Sequence, residues 1–355
     1  IGRKEFFMKT FLTLALAALA VTLSGCATNI VNLKPYGAPE AGTVTALERV
    51  IIKARATQQC DVLALAEQTK RILLLSLPLH KHHQWVYEER KNGRDYSKEM
   101  KERNEKAIRD NWRFAEEATK LYSLSATLNS PLSGEGKSLA KATVETANST
   151  DEVIQLGLGY TIAGMEWNAG YLTAEKETYF NNLMKKNEAL ADKASVLTKA
   201  FVARIAAQAS NEKAATCPEV PVGPGKEAGS PSVLFEGDGD DVDNKSLKEA
   251  ILQAATGTPL TMRHKRVGIT LKNVVVDEYG AARTAMNVFT FFKVGYSRGG
   301  DASLSAFVQE EGGKQIPLVV NTFEINAKNV DTLTSLVANR VVGRAHFALL
   351  WEDMR

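Results

Sequence analysis

The apolar residues of this chain change their spacing near residue 216, and this change limits the possible folds more than any other feature. Up to about residue 205 they recur at steps of three and four residues, which places them on one face of an α-helix. These helical runs cover residues 44–72, 107–128 and 180–205. Farther along, apolar and polar residues alternate, as at Val267, Ile269 and Leu271, which is typical of a β-strand. The sequence therefore predicts a helical part followed by a β-rich part.

The three runs predict long helices that pack on one another. Their period of about 3.5 residues is the period of coiled coils. Leu77-Pro78 is expected to end the first helix and Pro131 the second, because proline removes a backbone hydrogen-bond donor. Residues 138–171 are rich in small residues and are expected to form an imperfect helix. The sequence thus predicts an elongated antiparallel helical bundle over residues 43–215.

Residues 81–106 carry much charge and little apolar periodicity. A helix with these properties either projects into solvent or turns over at the tip of a hairpin. The sequence leaves both arrangements open.

The second part follows a segment that is rich in proline and glycine. Residues 216–235 contain four prolines and three glycines, a composition typical of a linker. A small β-rich domain, either α+β or sandwich-like, is expected over residues 236–355. Its helices are expected over 246–255, where Ser246-x-x-Glu249 forms a capping box, and over 330–338. Its strands are expected at 267–271, 288–294, 304–308, 317–320, 323–325 and 341–350.

The strand predicted at 288–294 has aromatic residues on both of its faces. One face is expected to pack in the core of the domain and the other against a helix. The alternative is an exposed apolar face that binds a partner protein.

The first residues of the chain have the order of a secretion signal. Met8-Lys9 is followed by an apolar run of about 13 residues, Phe11–Leu23, which is too short to span a bilayer. The adjoining Leu23-Ser24-Gly25-Cys26 resembles the lipobox of bacterial lipoproteins. This resemblance, which covers residues 8–26, implies cleavage before Cys26 and lipidation of Cys26. An ordinary signal peptide or an uncleaved anchor is the alternative.

By resemblance to sorted Gram-negative lipoproteins, Ala27 after the cysteine implies the outer membrane, with the protein facing the periplasm or the cell surface. Residues 26–42 contain several prolines and glycines and are expected to act as a tether. Residues 1–25 are then leader and signal peptide. We expect residues 1–7 to be untranslated, because a purine run that encodes Arg3-Lys4-Glu5 would stand where a ribosome-binding site precedes Met8.

Two cysteines, Cys60 and Cys217, remain after the lipidated one. An even number of cysteines in an oxidising compartment predicts a disulfide between them. Two buried free thiols are the alternative.

The acidic run at 236–244 is the most suggestive polar cluster of the sequence. Counted as a calcium loop from Asp238, it places Asp240, Ser246 and Glu249 at positions 3, 9 and 12, where oxygen ligands are needed. Positions 5 and 6 lack the expected ligand and glycine. The sequence therefore favours an acidic loop that caps the next helix, and a calcium site is the alternative. No cofactor is expected otherwise.

Two other motifs give weaker indications of a binding site. His80, His82 and His83 could bind zinc or copper, but the nearby Pro78 favours a solvated turn. The sequence Gly136-Lys137-Ser138 resembles the end of a phosphate-binding loop. Pro131 stands where that loop needs its first glycine, so no nucleotide is expected.

The charge balance and the missing motifs limit the functional classes. Lys and Arg number 44 against 41 Asp and Glu, and this near balance provides no bulk positive charge for nucleic acid. Neither an HExxH nor a CxxC motif occurs, and no catalytic residue is assigned. The sequence therefore predicts a non-enzymatic, lipid-anchored envelope scaffold or adaptor that presents its β-rich module to another protein. A periplasmic ligand- or metal-binding lipoprotein is the alternative, followed by an envelope enzyme.

Overall fold

The chain is mostly helical, with a small mixed sheet in its second part. The computed structural model describes residues 41–92, 97–128, 130–165, 174–209, 232–236, 242–256, 258, 267–278, 300–310, 312–318, 320 and 330–355. All of these residues belong to one compact unit that covers residues 34–355. The helical part contains α1 (Ala41–Ala56), α2 (Cys60–Lys91), α3 (Lys98–Thr127), α4 (Ser133–Met165) and α5 (Ala174–Gln208). The second part contains β1 (Ser232–Glu236), α6 (Val242–Ala255), β2 (Val267–Glu278), β3 (Gly300–Glu310), β4 (Ile316–Leu318) and α7 (Val330–Asp353).

Consecutive helices of the first part run antiparallel. In each pair, residue numbers fall along one helix as they rise along the other, as short connections require. The contacts that show this are Glu48–Lys70 and Arg55–Glu67 between α1 and α2, Gln68–Glu117 and His82–Asn104 between α2 and α3, Asn111–Ala147 and Ser125–Gly136 between α3 and α4, and Glu135–Arg204 and Thr150–Asn187 between α4 and α5.

The first apolar run forms two helices, so the prediction of one helix over 44–72 is wrong. Helix α1 ends at Ala56, and Gln58 takes a left-handed backbone conformation with φ of 56°. The chain then reverses, and Arg55 of α1 forms a 2.7 Å ion pair with Glu67 of α2. Neither glycine nor proline marks this turn, so the apolar spacing continues through it undisturbed.

Pro78 does not end α2, which continues to Lys91. The proline is exposed, while the neighbouring Leu73 and Leu79 are buried. Packing against α3 is present on both sides of the proline, from Gln68 to His82. Packing on α3 therefore stabilises α2 by more than the loss of one backbone hydrogen bond at the exposed Pro78 destabilises it.

The charged interval at 81–106 belongs to a hairpin, the second of the two arrangements that the sequence allows. Helix α2 ends at Lys91 and α3 begins at Lys98, where the Ser97 side chain accepts a 3.0 Å hydrogen bond from the Met100 backbone N–H. The imperfect helix predicted at 138–171 is α4, which begins at Ser133 and ends at Met165.

The sheet has the strand order β1-β2-β3-β4. Strands β1 and β2 are parallel and are connected through α6, whereas β3 and β4 each join the sheet antiparallel. Helix α7 packs on the sheet and on α6, and also on α3 and α4 of the helical part. Because helices pack on this sheet, α+β describes the second part better than the sandwich-like alternative.

The strand predicted at 341–350 is wrong, because these residues lie in the 24-residue helix α7. Eight of the ten are buried, since α7 has the sheet and α6 on one side and α3 and α4 on the other. A helix that is buried on most sides has no single apolar stripe. Its β-branched and aromatic residues are then indistinguishable from a buried strand by spacing alone.

Other boundaries also differ from the prediction. Strand β1 occupies residues 232–236 and so overlaps the last four residues of the predicted linker, and α6 begins at Val242. Ser246 therefore lies within α6 and does not cap it, so the capping box is wrong. The strands predicted at 288–294 and 323–325 lie outside the described residues, as do the leader and residues 26–40 of the predicted tether. Ala41 and Gly42, the last residues of that tether, belong to α1.

We expect Pro78→Ala to stabilise the protein. Alanine restores a backbone N–H donor at an exposed helical position and should raise the free energy of unfolding by about 1–3 kcal/mol. Chemical denaturation measures this, with Lys81→Ala, an exposed position of the same helix, as the matched control. A destabilised Pro78→Ala protein would show that the proline itself is required for the shape of α2.

Candidate functional site

The carboxylate of Asp151 is buried in α4 where α3 and α7 meet it. Its Oδ1 accepts a 2.7 Å hydrogen bond from the indole N–H of Trp112 in α3. Its Oδ2 accepts a 2.7 Å hydrogen bond from Nε2 of Gln155, one turn farther along α4. Trp112 and Asp151 are only 2% and 1% exposed. We call Trp112, Asp151, Gln155 and Gly343 the Asp151 cluster.

Gly343 lets α7 approach this carboxylate closely. A Cβ atom at position 343 would lie 2.7 Å from Oδ2 of Asp151 and 2.7 Å from Nε2 of Gln155. Both distances are shorter than the van der Waals contact distance between a carbon atom and these atoms. Any other residue at position 343 would therefore separate α7 from α4 or displace the carboxylate.

Arg344 forms a second polar contact between α7 and α4, at the edge of the cluster. One guanidinium nitrogen lies 3.0 Å from Oε1 of Glu152, and the other donates a 3.1 Å hydrogen bond to Oδ1 of Asn148. Asn148, Glu152 and Gln155 recur at steps of four and three, so they share one face of α4. Helix α7 packs against this polar face.

His346 contributes a third contact from α7, on the α3 side. Its ring centroid is 6.0 Å from that of Trp112, and Nε2 lies 3.4 Å from the Trp112 carbonyl oxygen. The His346 side chain is buried. Trp112 is thus held by Asp151 at its indole nitrogen and by His346 at its backbone.

Burial governs the charge of Asp151. It raises the pKa of this carboxyl group to about 6, although the Arg344 charge and the hydrogen bonds from Trp112 and Gln155 act in the opposite direction. The ionised form loses its hydration in the interior, and two hydrogen bonds replace that hydration only in part.

Gln155 can serve either protonation state of Asp151. Its Nε2 donates to the carboxylate, while its buried Oε1 has no hydrogen-bond partner among the described residues. Rotation of the amide by 180° about its last bond would present Oε1 to a protonated carboxyl group. After this rotation the added proton is hydrogen-bonded, and Nε2 gives up its 3.5 Å contact with the Asn339 carbonyl oxygen.

Of the predicted site residues, the structure describes Cys60, Ser246 and Glu249. Cys26, Cys217, Asp238 and Asp240 lie outside the described residues. Cys60 is the first residue of α2, with its sulfur 3.5 Å from the Gln58 carbonyl oxygen. Its pairing with Cys217 stays a prediction.

The calcium prediction has two of its four residues in the described structure. Ser246 and Glu249 are both exposed on α6, and this helix includes residues 242–249. A calcium loop wraps its early positions around the ion, whereas here the chain is helical from the fifth position onward. The part of the loop at 237–241 lies outside the described residues, so the calcium site stays a prediction.

The three histidines lie in helix α2, so the solvated turn predicted for them is wrong. Burial lowers the pKa of His82 to about 4, which leaves its imidazole neutral at pH 7. Its Nε2 is 3.0 Å from Oδ1 of Asn104, to which the neutral ring donates. Among the described residues, no three potential metal-ligating side chains are grouped.

The Gly136-Lys137-Ser138 motif lies in the first turns of α4 and follows helix α3. A phosphate-binding loop needs a strand before it. The structure thus gives this motif a context that does not fit nucleotide binding.

The sequence also contains Gly295-Tyr296-Ser297-Arg298-Gly299, which has the spacing of the nucleophile turn of α/β-hydrolases. That turn needs a helix directly after it. Here strand β3 begins at Gly300, so the context differs, and the motif itself lies outside the described residues.

Sequence reasoning missed the Asp151 cluster. The sequence does contain one indication of it. Asp151 and Gln155 are four residues apart, and the other buried side chains of this stretch of α4 are small, hydroxylated or apolar. Such a polar pair marks a buried hydrogen bond within a helix. No local signal connects the pair to Gly343.

No protein-family model, curated protein or solved structure matches this chain. None of the described helices is both long enough and apolar enough to span a lipid bilayer.

We expect Gly343→Ala to destabilise the protein by about 1–3 kcal/mol, because the added methyl group overpacks the Asp151 cluster. Thermal or urea unfolding measures the change.

Gly159→Ala is the matched control, since Gly159 is also helical but has no neighbouring atom within 4 Å of the place that an added methyl carbon would occupy. Alanine there should stabilise α4 by about 0.5–1 kcal/mol. Equal effects of the two substitutions would contradict the close approach of α7 at Gly343.

Proposed function

We propose that this protein is a lipid-anchored scaffold or adaptor of the bacterial envelope. In this proposal, Cys26 carries the lipid, residues 26–42 form the tether, and the helical part holds the β-containing part at a fixed position for a protein partner. The proposal assigns the chain to the outer membrane, facing the periplasm or the cell surface. It includes neither a nucleic acid nor a nucleotide as partner.

The observation that carries the scaffold part of the proposal is the position of α7. This helix covers the sheet through β2, β3 and β4 and also packs on α3 and α4. At the second contact, Gly343, Arg344 and His346 meet the polar residues of α3 and α4. A module that is joined in this way moves with its support, which is what presentation to a partner requires.

The lengths of the helices favour an elongated supporting structure. Helices α2 to α5 contain between 30 and 35 residues each, and at 1.5 Å per residue each reaches roughly 45–50 Å. Their antiparallel contacts support the finer proposal of an elongated bundle. Such a bundle can hold a module away from the membrane surface.

We expect the wild-type protein to incorporate a palmitate analogue in bacteria and the Cys26→Ser variant to incorporate none, because acylation needs the thiol. Metabolic labelling followed by gel fluorescence measures this. Cys60→Ser is the matched control and should keep the label. Label retained on Cys26→Ser would overturn the lipid anchor.

We expect a photo-crosslinking residue at Lys314 to form a discrete adduct with an envelope protein, because Lys314 is exposed between β3 and β4. The matched control is the same residue at Val196, which is 66% exposed on α5. The experiment uses living cells and the full-length chain. Adducts at Val196 but not at Lys314 would contradict presentation by the β-containing part.

A further inference from the structure

The contact between α7 and α4 encloses an ionisable group at its centre. Gly343 lies directly over Oδ2 of Asp151, so α7 separates this carboxylate from water. Departure of α7 from α4 would admit water to Asp151 and restore its hydration. The protonation of Asp151 and the docking of α7 are therefore linked.

The groups that face Asp151 determine its charge preference. From α7, Arg344 favours the ionised form through its positive charge, and from α4, Glu152 opposes it. Glu152 is itself paired with Arg344 at 3.0 Å, which reduces the effect of either charge on Asp151. From α3 the facing group is the neutral indole of Trp112, behind which His346 of α7 is packed.

We propose that Asp151 is a proton-sensitive contact that holds α7 on α3 and α4 more tightly when its carboxyl group is protonated. The hydrogen-bonding arrangement fits both states, since Gln155 offers a donor to the carboxylate and an unused buried oxygen to the acid.

The direction of the pH effect follows from linkage. The pKa of Asp151 is about 6 when α7 covers it, against an ordinary value of 3.8. Between these two values the docked state holds the proton and the undocked state does not. Docking is therefore strongest below about pH 4 and weakens as the pH rises to about 6, above which the loss is complete.

The test compares hydrogen exchange in the wild-type protein and Asp151→Asn at the same pH, so that intrinsic exchange rates cancel. Asparagine imitates the neutral acid. At pH 7.5 we expect the backbone amides of α7 to exchange faster in the wild type by at least tenfold and at most about 100-fold. At pH 4.0 the two rates should agree within about threefold. The amides of α5 should show no comparable difference.

The matched control is Asp192→Asn, which removes an exposed carboxylate from α5 and should leave the exchange of α7 unchanged. Equal exchange of α7 in the wild type and Asp151→Asn at pH 7.5 would overturn the proposal. A difference of the same size in α5 would also overturn it, because Asp151 would then affect only global stability.

A second measurement does not depend on the folding of the Asp151→Asn variant. In wild-type protein with ¹³C-labelled aspartate, the Asp151 carboxyl carbon should titrate with a midpoint near pH 6, and Gly343→Ala should lower that midpoint by opening the cluster. A midpoint below pH 5 in the wild type would overturn the proposal.

Discussion

The close packing of Gly343 in α7 against the buried carboxylate of Asp151 is the contact on which the joint between the helical and β-containing parts depends. A buried carboxylate loses several kcal/mol of hydration, and here the Trp112 indole and the Gln155 amide offset part of that loss. The arrangement tolerates only glycine at position 343 of α7. Because a Cβ atom would clash with the carboxylate, only a glycine of α7 can lie over Asp151, and this restricts how α7 can pack on α4.

The helix boundaries that the sequence predicts well are those with a local physical cause. Helix α3 carries an apolar run of constant period and ends at Thr127, shortly before Pro131. The errors have nonlocal causes. Gln58 reverses the chain with a left-handed conformation that its residue type does not reveal, and Pro78 is tolerated because α3 packs on both sides of it. Residues 341–350 resemble a strand because their helix is covered on several sides.

The candidate site was beyond the reach of sequence patterns for a related reason. Trp112, Asp151 and Gly343 belong to three helices that are far apart along the chain, and none of them stands in a motif. The motifs that do suggest chemistry, such as the three histidines and Gly136-Lys137-Ser138, are local in sequence. Their chemistry depends on a surrounding fold, and the described structure gives them helical surroundings instead.

The shared position of α7 makes any proton linkage at Asp151 reciprocal. If protonation tightens the docking of α7 by some factor, then any event that loosens α7 must lower the proton affinity of Asp151 by the same factor. Strands β2 to β4 pack on α7, so among the described elements this helix is the one that connects a protein bound to the sheet with Asp151. The pKa of Asp151 is about 6 when α7 covers it and 3.8 ordinarily. This difference limits the factor by which protonation and docking affect each other to about 100. A partner that leaves α7 in place therefore cannot sense the pH through this carboxylate.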